Sequence, residues 1–98
     1  MSDHRNEIFY DPDFPKDVQR LPVEAQRKLS GLIEFLREDA FDSRLHTKPL
    51  SVPLQGIFTF RITRDYRVAF RFGGAHLIQL LLADKRDKIY IYERLKRR

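Results

Sequence analysis

No cysteine occurs in these 98 residues. A disulfide framework and a thiol nucleophile are both excluded. That absence suits a reducing compartment, and the expected localisation is cytoplasmic. Long apolar runs are missing too. The longest, residues 77–83, falls far short of the roughly 20 residues that span a bilayer. The opening residues 1–7 are polar and carry no signal-peptide core, so a soluble chain with no membrane partner is expected. His4, His46 and His76 lie too far apart in sequence for metal-ligand spacing, and neither HExxH nor CxxC occurs. No glycine-rich phosphate loop precedes a helix, and none of the four serines sits in a Gly-x-Ser-x-Gly elbow. No metal and no cofactor is expected.

Acid is scarce in one part of the chain. Residues 1–42 hold six Lys/Arg and ten Asp/Glu, whereas residues 43–98 hold thirteen Lys/Arg and four Asp/Glu. The net charge of +5 therefore joins an acidic part to a strongly basic one. Such a split points to a polyanionic partner, with phosphate the favoured ligand. The length allows a single domain over 1–98, and twelve aromatics within 42% hydrophobic content can fill its core.

Residues 7–10 read as a short first strand, and Asp11-Pro-Asp-Phe-Pro15 as a turn into a helix. Pro15 suits a first helical turn, with Asp13 or Phe14 before it. Phe14, Val18 and Leu21 then share one face. Leu21-Pro22 ends this helix and starts another, running to about Glu38. Ala25, Leu29, Leu32, Ile33 and Leu36 form its apolar stripe. Residues 39–56, with Pro49, Pro53 and Gly56, read as an irregular connection carrying Arg44, His46 and Lys48.

Residues 58–72 read as two strands. Phe58, Phe60 and Ile62 alternate with Thr59, Arg61 and Thr63; Tyr66, Val68, Phe70 and Phe72 alternate with Arg67, Ala69 and Arg71. Strand side chains point alternately to opposite faces, so one face is apolar and the other cationic and solvated, with no acid on it. Keeping both apolar sets inward requires a three-residue loop, Thr63-Arg64-Asp65, with Ile62 opposite Tyr66 and Arg61 opposite Arg67. Opposed like charges cost a few tenths of a kcal/mol or more, and a bound phosphate would turn that repulsion into attraction. Gly73-Gly74 signals a second hairpin. Residues 76–83 follow as a strand apolar on both faces, hence central. A charged turn at 84–88, an extended piece at 89–92 and a basic tail close the chain.

The chemistry left is that of arginine, lysine and tyrosine, and this set can cleave RNA without a metal. The ribose 2′-OH is an internal nucleophile. A protein must align it, take its proton, stabilise charge on phosphorus and protonate the leaving 5′ oxygen. Arginine grips two phosphate oxygens with its planar fork. Nearby cations lower the tyrosine pKa from about 10 and make it usable as a base.

Residues 58–72, followed by 78–90, resemble the RelE/ParE superfamily of bacterial toxin–antitoxin toxins. The shared features are Arg61-Ile62 paired with Tyr66-Arg67-Val68, the aliphatic strand, and Lys85-Arg86 followed by Tyr90. The two preceding helices match as well. The resemblance implies an α+β fold, with two N-terminal helices packed on one face of a small, mainly antiparallel β-sheet. It also implies a type II toxin with a cognate antitoxin partner, meeting operator DNA only through that antitoxin.

Members of the RelE branch are ribosome-dependent endoribonucleases that cut mRNA in the ribosomal A site. By this resemblance Arg67 stabilises the phosphate transition state, and Arg86 is the second catalytic arginine. Arg61 stands at one of two basic positions on the preceding strand, while the other holds Thr59. Tyr92 falls at the spacing of the general-base tyrosine, and Tyr90 at that of a shorter version. Lys48, Arg64, Arg71, Lys85 and Lys88 are the expected RNA contacts. The ParE branch shares the fold but poisons DNA gyrase without nuclease activity. Arg67 and the last tyrosine do not separate the branches. The expectation of RNA cleavage rests on Arg61, Arg71, Lys85 and Tyr92. A relic kept for antitoxin and operator binding is a third reading.

Overall fold

Two prolines set the first part of the fold. The computed structural model describes residues 5–89. Strand β1, Glu7–Tyr10, leads to helix α1, Phe14–Arg20, which has Asp13 at its N-cap and Pro15 in its first turn. There the missing proline N–H leaves no hydrogen bond unmade. Leu21 adopts extended backbone ahead of Pro22, and helix α2 restarts over Val23–Glu38. A short 3-10 turn follows at Ser43–Leu45. The remaining strands are β2 (Lys48–Pro49), β3 (Ile57–Arg61), β4 (Tyr66–Gly74) and β5 (Leu77–Lys85).

The five strands form one sheet in the order β1-β5-β4-β3-β2. β1 runs parallel to β5, and every other neighbour is antiparallel. Both helices lie on one face. They bury Phe14, Leu21, Ala25, Leu29, Ile33 and Leu36 against Phe60, Ile62, Val68, Phe70, Ile78 and Leu80. Each such side chain contributes about 1.5–3 kcal/mol by leaving water. Val18 and Leu32, expected in the stripe, are half-buried at its margin. Among the described residues no helix is long and apolar enough to cross a membrane.

The connection 39–56 is more ordered than expected. Thr47 Oγ1 donates to the Ala40 carbonyl at 2.6 Å, and β2 pairs with β3 at the sheet edge. Pro49 sits on that edge strand, where a missing donor is tolerated. Gly56 has φ 87°, a left-handed conformation that a side chain would strain. The segment then folds beneath the sheet. Leu50, Leu54 and Ile57 join Ala69, Leu81, Leu82 and Ile89 in a second apolar cluster on the face away from the helices. The expected open cationic face is therefore partly paved: Thr59 and Ala69 are buried.

β5 serves both clusters through an irregularity. Ala69 pairs with Leu82 and Phe70 with Leu80, which leaves Leu81 as an extra, bulged residue. Leu80 and Ala83 face the helices, while Leu81 and Leu82 both face the second cluster. Simple alternation does not anticipate this. The second hairpin also differs. β4 runs through Gly73 and Gly74, and the turn is at 75–76. Gly73 bulges there, and a Cβ on it would stand 3.2 Å from Leu77 Cδ2. Of the extended piece foreseen at 89–92, Ile89 is buried in the second cluster, and the rest lies outside the described residues.

Asp42 caps the 3-10 turn. Its Oδ1 accepts from Arg44 N at 2.9 Å and Arg44 Nε at 3.0 Å, and its Oδ2 from Arg44 Nη2 at 2.8 Å. The Arg44 side chain first, then its backbone N–H, holds the Asp42 carboxyl at about 2, below the ordinary 3.8. A carboxyl depressed on folding stabilises the fold above its unfolded pKa and loses that effect as pH falls through the folded one. Asp42→Asn should therefore flatten the pH dependence of stability between about pH 4 and pH 2. Urea denaturation across that range checks this; an unchanged slope would refute it.

Candidate active site

The loop at 63–65 is where the basic side chains are organised. Ile62 N donates to Tyr66 O at 2.9 Å, so the loop has the three residues the pattern requires. Arg61 lies directly opposite Arg67. In an antiparallel ladder the pair after a hydrogen-bonded one is not hydrogen-bonded, which brings its Cα atoms to about 4.5 Å. On its other side Arg67 lies opposite Asp84. The expectation of an acid-free face is thus corrected: the bulge in β5 brings a carboxylate beside Arg67.

Arg67 is half-buried and anchored. Its Nη1 donates to the Thr63 carbonyl at 3.0 Å and more weakly to that of Arg64 at 3.5 Å. Arg86 N donates to the Asp65 carbonyl at 2.9 Å. One loop therefore ties down both the Arg67 guanidinium and the turn that bears Arg86. Beside them is a concavity of about 270 Å³ lined by Lys48, Thr59, Arg67, Arg86, Asp87 and Ile89. Lys48 pairs with Thr59 across the edge strands. The cation missing at Thr59 is supplied from the neighbouring strand. Three cations and one acid share this space, an arrangement that can hold a phosphodiester.

The other expected site residues separate. Arg61 and Arg64 line a second concavity of about 530 Å³ with Lys28, Arg44 and His46. Lys85 pairs with Tyr66, whose ring packs on the helix-side core, so it lies on the face opposite Arg67. Lys88 is exposed in the turn. Arg71 stands four residues from Arg67, roughly 13 Å along the strand. Buried Ala69 intervenes, and Arg71 Nε donates to Gln79 Oε1 at 3.1 Å. Tyr90 and Tyr92 lie outside the described residues. Among the described residues, no three His, Cys, Asp or Glu side chains are grouped to hold a metal ion.

Sequence reasoning missed Asp87 and the delivery of Lys48 to the side of Thr59 in this concavity. The first needed the turn's path, and the second needed the β2 register. Two helices thus lie on one face of a β1-β5-β4-β3-β2 sheet, with a basic groove beside the 63–65 loop. No protein-family model matches the sequence, and the comparison with curated proteins returns no match. Solved structures do match. The YoeB/ParE toxin from Agrobacterium tumefaciens aligns with a TM-score of 0.69 at 19% identity, over 81% of this chain and 96% of that one. A chain of the archaeal RelE–RelB complex from Pyrococcus horikoshii gives 0.69 at 18% identity, over 84% and 96%. One from the RelBE2 toxin–antitoxin complex of Mycobacterium tuberculosis gives 0.63 at 26% identity, over 87% and 95%. The fold is that of the RelE/ParE toxin superfamily, and the structural neighbours are toxins of type II toxin–antitoxin systems.

Proposed function

We propose that this protein is the toxin of a type II toxin–antitoxin pair and a metal-independent mRNA endoribonuclease acting on the ribosome. The observation that supports this most is the junction of Lys48, Arg67 and Arg86 on one concavity, held by the 63–65 loop. The scissile phosphate sits between the arginines. The ribose 2′ oxygen attacks phosphorus while Tyr92, which lies outside the described residues, takes the 2′ proton as general base. Arg67 and Arg86 hold the phosphate oxygens as charge accumulates on them. The bond to the 5′ oxygen breaks, leaving a 2′,3′-cyclic phosphate. The departing oxygen takes a proton from Lys48, whose ammonium gives one up more readily than a guanidinium. Arg61 assists from the adjoining strand. Solved complexes of neighbours with antitoxins, such as DinJ–YafQ from E. coli, support a cognate antitoxin as partner.

A second reading rests on the anchoring of Arg67. A guanidinium bonded to loop carbonyls also suits a structural residue in a gyrase inhibitor without nuclease activity. Primer extension on mRNA after pulsed expression, beside a gyrase supercoiling assay, separates the two. Discrete cuts with normal supercoiling support the nuclease. Blocked supercoiling with intact mRNA replaces it.

A further inference from the structure

The larger of the two basic concavities contains a feature that the proposed cleavage does not use. Arg44 is not a free cation there. Its edge is clamped by both oxygens of Asp42, at 3.0 and 2.8 Å. One face of its guanidinium lies over the Phe35 ring, 3.6 Å from the centroid. Phe35 is held in turn at the margin of the main core. The side chain is nonetheless 61% exposed. Two constraints thus hold a flat π-surface in place while leaving it accessible. Neutralised in plane by Asp42, it suits stacking better than charge attraction. Lys28, Arg61 and Arg64 stand around the same space, and no acid is among its lining residues.

The α2 wall of the concavity is also unusual. Gly31 interrupts the middle of α2, where glycine is a far poorer helix former than alanine. No turn or close contact requires it: a Cβ there would meet nothing within 4 Å. Its effect is to keep the concavity wide.

We propose that this concavity is a binding subsite for single-stranded RNA, seating one nucleobase on the outer face of Arg44 with flanking phosphates on Lys28, Arg61 and Arg64. Flat guanidinium planes and nearby cations are a recurrent way to hold unpaired bases. Arg61 links the two sites. It lines this subsite and is the cross-strand partner of Arg67, so one strand of RNA can run from one concavity to the other. The subsite positions substrate, and it takes RNA as its ligand on the strength of the proposed activity. Its test does not depend on cleavage.

The probe is a short 2′-O-methyl RNA oligonucleotide, which cannot be cut through its blocked 2′ oxygen, with binding read by fluorescence anisotropy. Arg44→Ala should weaken binding about tenfold, and Arg44→Lys nearly as much, because lysine keeps the charge but not the plane. An abasic oligomer of the same length should bind wild type and Arg44→Ala alike. Gly31→Leu should weaken binding without lowering Tm, which separates a filled subsite from a damaged fold. Failure of the wild type to bind the oligonucleotide overturns the proposal. So does wild-type binding by Arg44→Lys, or equal affinity for a polyglutamate peptide, which would mark the concavity as a mere sink for negative charge. If the oligonucleotide binds as described but no RNA is cut, the nuclease reading falls and the subsite stands. The reverse result removes the subsite alone.

Discussion

Replacing Arg67 with alanine should reduce RNA cleavage about 10²-fold or more while leaving a folded protein. The size follows from the role. Removing one preorganised donor to a charge that develops in the transition state costs about that factor. The fold should survive because Arg67 is half-buried rather than enclosed, and the stronger of the two loop-carbonyl bonds shown for its guanidinium is that to Thr63. That bond is worth about 1 kcal/mol, and relief of the repulsion with Arg61 returns a few tenths. The melting temperature should fall by roughly 4–8 °C at most. Arg67→Lys keeps the charge and loses the fork, so its activity should lie between. Cleavage on programmed ribosomes, with thermal unfolding in parallel, checks both expectations. Full activity in the alanine variant would refute the catalytic role, and gross unfolding would make Arg67 a structural residue.

The largest stability effect expected of a polar residue belongs to Asp17. This α1 carboxyl group is only 4% exposed, and its Oδ2 accepts from Ala83 N at 3.1 Å. The geometry of the sheet creates the need. β1 ends against β5 at Leu80, where Asp11 N donates to the Leu80 carbonyl. Past that point no strand among the described residues pairs with β5 on this side, and Asp17 takes the place of one. Asp17→Ala would leave a buried N–H unpaired, at a cost of about 2–3 kcal/mol. That corresponds to roughly 10–20 °C in Tm. Asp17→Asn retains an acceptor oxygen and should cost about half as much or less. Urea denaturation of the two variants decides the matter: equal losses would mean that the hydrogen bond is not what the carboxyl group contributes.

Residues whose neighbours are close in sequence were legible. The Pro22 break, the α2 stripe, the three-residue loop at 63–65 and the Arg61–Arg67 pairing all follow from local periodicity and turn chemistry. What escaped depends on distant chain segments. Nothing near Thr59 indicates that Lys48 lies across from it, because the intervening residues 50–56 make a loop whose path is set by burying Leu50 and Leu54. Nothing near Asp17 sets it apart from the other acids of residues 1–42, since a helix pattern carries no sign of where a strand runs out of partners. The glycines at 73–74 were read as a turn, yet their small size serves a bulge beside Leu77. Arg61 and Arg67 were found together as predicted, but their surroundings open to different sides.

One extra leucine in β5 sets the charge across from Arg67. With strict alternation from Ile78 and Leu80, Asp84 would point toward the helices and Ala83 would stand opposite Arg67. Leu81 shifts the phase by one, so the neighbour is Asp84 instead. Under the proposed function, the cations of the concavity with no carboxylate near them would grip a product phosphate as firmly as a substrate. Asp84 across from Arg67 would temper that grip and so favour turnover over retention.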